Sequence, residues 1–99
     1  MYSMILYCLV VEAVPHRNNP ESKEYGGAYI SCWVKADDPT DALRKVKEYI
    51  HKQNWAFIKT EDIFTVQREQ YIDEPDSLEC YDNALQYGLD AIFHTWPTG

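Results

Sequence analysis

The apolar run from Met4 to Val11 has two apolar sides: Met4, Leu6, Cys8 and Val10 on one, Ile5, Tyr7, Leu9 and Val11 on the other. A strand with one wet face alternates apolar and polar residues, so this run is expected at the centre of a sheet, covered on both sides. The stretch VPHRNNPESKEYGG follows, and its prolines, asparagines and glycines mark a long polar loop. Alternation resumes in AYISCWVKA. There Ala28, Ile30, Cys32 and Val34 make an apolar side, and Tyr29, Ser31, Trp33 and Lys35 a mixed one.

The period changes at Asp38. Ala42, Leu43, Val46, Tyr49 and Ile50 recur at helical spacing. Asp38 suits the cap, Pro39 the first turn, and Asp41 a box-like spacing, so a helix is predicted up to about Gln53–Asn54. WAFIK and IFTVQREQY read as two strands broken at Thr60, Glu61 and Asp62, with one long bent strand as the alternative. A second helix is predicted through PDSLECYDNALQY, with Leu78, Tyr81, Leu85 and Ala84 as its buried stripe and Gly88 just past its end. LDAIFHTW forms a last strand, stopped by Pro97.

From residue 28 onward this order is βαββαβ, with an extra strand in front. It predicts a single α+β domain over residues 1–99: a two-layer ferredoxin-like sandwich, a mainly antiparallel sheet with both helices on one face. The other sheet face is then bare.

Composition narrows the function. The chain has 99 residues, 45 % hydrophobic and 25 % charged, which suits one folded domain rather than a disordered segment. Its longest apolar run is too short to span a bilayer, and no basic lead-in precedes it, so a secretory signal is not expected and the cytoplasm is. The three cysteines, Cys8, Cys32 and Cys80, are far apart and form no CxxC, which points to buried thiols rather than disulfides or a zinc site. A cluster of Cys8, Cys32 and His94 would need their strands to be neighbours on one face.

Charge is uneven. Residues 1–59 hold eight basic and seven acidic side chains, and residues 60–99 one basic and nine acidic. Nucleic acid and anionic membranes need clustered Lys and Arg, so neither is an expected partner. Placed side by side, a basic first helix and an acidic second would attract across their rims.

The stretch EYGGAYISCW partly follows the RNA-recognition signature. Gly27 and Cys32, however, stand where stacking aromatics are needed, and Tyr25 where a base is. DEPDSLEC lacks the alternating ligands and central glycine of a calcium loop. There is no GxSxG, HExxH or phosphate loop. No metal or other cofactor is expected, and an interaction domain is favoured over an enzyme.

Aromatic residues carry the strongest signal. Tyr7, Tyr29, Trp33, Trp55, Phe57 and Trp96 fall on strands or at their ends, more rings than one helical layer can roof. Tyr and Trp are enriched at the centres of interfaces. The expected reading is a homodimer packed sheet to sheet, with Tyr7, Tyr29, Trp33, Trp55, His94 and Trp96 as interface or ligand residues. The acidic C-terminal half is left free for a basic protein, as in immunity-type proteins that neutralise a toxin. The alternative is a small-molecule site or enzyme pocket on the sheet face. His94 would be its weak candidate base, with Tyr29, Trp33 and Glu69 nearby.

Overall fold

The computed structural model describes residues 5–98, so Met4 of the first predicted strand lies outside the described residues. The elements are β1 (Ile5–Pro15), a 3-10 turn (Pro20–Lys23), β2 (Tyr25–Ala36), α1 (Pro39–Lys52), β3 (Trp55–Thr65), a second 3-10 turn (Arg68–Tyr71), α2 (Pro75–Tyr87) and β4 (Leu89–Pro97). The fold is α+β, with a four-stranded antiparallel sheet in the order β3-β1-β2-β4.

β1 is central, as its two apolar sides require. The predicted break at Thr60–Asp62 is not a turn. β3 is one strand, and its pairing with β1 slips between Val10 and Val11 and again between Glu12 and Ala13. Each slip inserts one extra residue, Glu61 and Ile58; of the polar residues that suggested a turn, Glu61 is absorbed as a bulge while Thr60 and Asp62 stay paired with β1. The sheet therefore has one strand fewer than the βαββαβ expectation with its extra strand.

The two helices cover opposite faces, which corrects the expectation that they share one. Ala42, Val46 and Ile50 of α1 pack with Leu9, Val11, Ala13, Ala28, Ile30, Cys32 and Val34. Cys80 and Ala84 of α2 pack with Leu6, Cys8 and Trp33, whose side chains point the other way from the same strands. The reason lies in strand direction. β2 and β3 are both antiparallel to β1, so α1 joins parallel strands and crosses over β1. β3 and β4 are antiparallel and occupy opposite edges, so α2 is not a parallel crossover and the right-handed rule does not place it. The charge argument falls with it: the basic and acidic helices do not lie side by side.

Local chemistry sets the helix ends. The Asp38 carboxylate accepts from the Asp41 N–H at 2.8 Å, and Asp41 accepts from the Asp37 N–H at 3.2 Å. Gly88 ends α2 at φ 101°, a left-handed conformation that glycine adopts without strain. The α1 stripe matches its spacing. In α2, Cys80 and Ala84 are buried while Leu85 is exposed, because the helix leans on β4 and the Arg68–Tyr71 turn rather than lying flat on the sheet.

Both sheet edges are guarded. The bulges interrupt β3, and on β4 the Ala91 N–H is taken by the Asp90 side chain at 2.8 Å.

Candidate functional site

On the α2 face the register aligns side chains into rows across all four strands. In the row Phe64–Cys8–Trp33–Asp90, Cys8 and Trp33 lie beneath α2 and the Arg68–Tyr71 turn, while Phe64 at the edge is exposed. The next, Asp62–Val10–Ser31–Ile92, is the boundary. Beyond it lies the row Lys59–Glu12–Tyr29–His94, of which only His94 faces a helix, across a cleft from the start of α2. A last group, with Ala56, Val14 and Trp96, closes the sheet. Half of this face is therefore open.

The open half has a definite structure. Tyr29 is 45 % exposed, and its ring meets Trp96 at 5.1 Å between centroids. The Trp96 indole lies across Gly26 and Gly27, and a Cβ on Gly27 would come within 2.4 Å of the ring. Two glycines in a strand thus mark a close approach between backbone and aromatic ring, which here fixes the indole. Lys59 pairs with Glu61 at 3.3 Å, and that contact, with Glu12 beside it, pushes the ammonium pKa up.

His94 is exposed at the rim. With Ile92 it faces Glu74, Pro75, Asp76 and Ser77 at the start of α2, across a cleft of about 280 Å³. Glu69, once grouped with His94, sits on the Arg68–Tyr71 turn and does not line this cleft.

The six residues expected at one surface divide into two sets. Tyr29, His94 and Trp96 come together. Tyr7, Trp33 and Trp55 are only 6 %, 4 % and 3 % exposed and belong to the interior of the chain itself. Tyr7 and Trp55 join the α1-side core, where Trp55 meets Phe93 edge to face at 5.3 Å. Trp33 packs edge to face on Tyr71 at 5.9 Å, and its Nε1–H has no hydrogen-bond partner among the described residues. The expectation that one helical layer leaves these three rings bare is thus corrected. Two helices on two faces, with the Arg68–Tyr71 turn, roof more sheet than two on one.

Glu12 and Lys59 were missed. Their signal was available: a carboxylate within an apolar strand marks where cover stops.

The thiols are structural. Burial pushes Cys8 up to about 11, against a hydrogen bond from Tyr71, and Cys80 up to about 12; Cys32 rises further, again through burial. Cys8 and Cys32 face opposite sides of the sheet, so they do not converge with His94. Among the described residues, no three His, Cys, Asp or Glu side chains group as metal ligands would, and no helix is long and apolar enough to cross a membrane.

Comparison with protein-family models, curated proteins and solved structures finds no match to this chain.

Proposed function

We propose that the chain is an interaction domain that pairs with a second copy of itself through the open half of the α2 face. The observation that supports this is the exposed Tyr29, braced by Trp96 and flanked by half-buried Val10 and Val14, on a sheet surface that α2 borders only at His94. An exposed aromatic held rigid by a neighbour buries large area at small entropic cost. The same row carries both signs, Lys59 and Glu12, so a two-fold axis can set the base of one copy against the acid of the other. A strongly charged partner would instead meet a like charge there.

Size predicts strength. Strands spaced ~4.8 Å apart, with same-face residues ~6.8 Å apart along each, give the two open rows a flat area of roughly 260 Å². A standard interface takes about 800 Å² per partner, so the dimer is expected to be weak and concentration-dependent. The acidic residues of α2, among them the exposed Asp76 beside His94 and the exposed Glu79, would be available to a basic protein.

Sedimentation from ~10 to ~500 μM tests the proposal, at affinities ordinary for a small interface. Dimerisation that Tyr29→Arg abolishes supports it. A monomer throughout, with Trp96 freely quenched by iodide, sinks it.

A second reading keeps the cleft at His94, where polar groups from the start of α2 face an imidazole. There His94 would serve as a base toward a small ligand. Unchanged ligand binding or turnover in His94→Ala removes that role.

A further inference from the structure

A second concavity among the described residues is on the other face, past the C-terminal end of α1. It is a cleft of about 390 Å³ lined by Glu21, Tyr25, Gln53, Trp55, Phe93 and Thr95. We propose that this cleft binds a small organic cation with a methylated quaternary ammonium head.

The lining chemistry selects the charge. Three of the six residues are aromatic, from three different strands: the half-buried Tyr25 and Phe93 form the accessible ring wall, and the nearly buried Trp55 lies behind it. Ring faces carry negative potential and attract cations. The only ionisable group besides the Tyr25 hydroxyl is the Glu21 carboxylate, which forms no ion pair among the described residues. No Lys, Arg or His lines the cleft, so an anion would find a carboxylate and no counter-charge. A primary ammonium could donate to the Glu21 carboxylate, the Gln53 carbonyl and the Thr95 hydroxyl, but the hydrocarbon faces of the three rings would leave its remaining N–H donors without strong partners. A quaternary head has no N–H to satisfy and presents methyl groups to the rings.

The walls are held in place. Asn19, the one buried polar residue among those described, donates from Nδ2 to the Asn54 carbonyl at 3.0 Å and accepts from the Glu21 N–H at 3.0 Å. The His16 N–H reaches the same carbonyl at 3.1 Å. Asn54 adopts φ 66°, the left-handed turn that brings Trp55 back under the helix end beside Gln53. The Glu21 turn, the end of α1 and the start of β3 are therefore clamped at one point. On the far wall, Phe93 is set against Trp55. A site ordered before the ligand arrives spends less binding energy on ordering.

Choline is the probe, with its uncharged carbon isostere 3,3-dimethyl-1-butanol as control, followed through the Trp55 indole N–H signal by nuclear magnetic resonance. Choline is expected to shift that signal saturably. The isostere should bind about tenfold weaker or worse, and Glu21→Gln, at an exposed position, should weaken choline by about threefold, as loss of a charge contact at a partly open cation site does. Phe93→Leu should weaken it too, with the amide spectrum confirming the fold. Pelleting on phosphatidylcholine vesicles that free choline reverses would make the source a lipid headgroup; choline binding without pelleting makes it a free solute. Equal binding of choline and the isostere overturns the proposal, as does an unmoved Trp55 signal at ~100 mM choline, far above the ordinary range of specific affinities.

Discussion

On the α1 face a single helix and its aromatic flank leave Leu9, Val11, Ala13, Ala28, Ile30, Cys32 and Val34 with essentially no exposure. On the α2 face a helix of similar length covers one end of the sheet and stops, leaving the row Lys59–Glu12–Tyr29–His94 to solvent. The difference comes from what each helix connects. α1 joins β2 to β3 across the central strand, so it must lie over the middle. α2 joins opposite edges and leans on β4, with the Arg68–Tyr71 turn filling in beneath Trp33. Coverage follows connectivity, and the strand residues record it: purely apolar where sealed, mixed where open.

Substitutions that treat the faces alike should give unlike results. Ile30→Ala empties a sealed position and is expected to cost about 2–5 kcal/mol in urea denaturation. Tyr29→Ser, the next residue in the same strand, should cost about 1 kcal/mol or less, because its ring is already half in water. Comparable losses would mean that the open half is covered after all.

A smaller effect separates Trp96 from the other rings. Gly27→Ala places a methyl inside the indole, with the Ala13 carbonyl at 3.0 Å preventing retreat, so the ring must swing off the strand. The expected cost is about 1–3 kcal/mol, with red-shifted fluorescence and easier quenching. An unchanged spectrum would show that the indole does not rest there.

A small effect per group compares both faces in one titration. Cys8 and Cys80 on the α2 side and Cys32 on the α1 side all have raised folded pKa values, because burial disfavours the thiolate. Above an unfolded value near 9.0 the unfolded chain loses protons that the folded chain keeps. Stability should thus be intact below that pH and fall as pH climbs through 9 toward 11, by about 1 kcal/mol per thiol at pH 10. Ellman's reagent should find all three thiols slow at pH 8 until the chain is unfolded. Rapid labelling of Cys8 alone would place an opening beneath Tyr71.

Much of this was legible in the chain. The α1 stripe, the Asp38 cap, Gly88 and the central place of β1 follow from spacing and turn chemistry, which are local. The side taken by α2 is not local. It depends on β3 pairing with β1 rather than beyond β2, and no periodicity encodes a neighbour. Thr60, Glu61 and Asp62 misled for a related reason: a polar residue absorbed into a ladder, paired or bulged, looks the same in sequence as one in a turn. Within the candidate site, Tyr29 and Trp96 were visible as aromatics too many for one roof. Trp33 was not separable from them, because its cover, Tyr71, comes from a turn 38 positions away.

The three indoles sit in three different settings: Trp33 against Tyr71 under α2, Trp55 against Phe93 under the end of α1, and Trp96 half open over glycine. The molecule thereby carries its own set of optical reporters, one per region. Variants that keep a single tryptophan would let one fluorimeter follow self-association, occupation of the cleft and loosening of the acidic helix as separate signals.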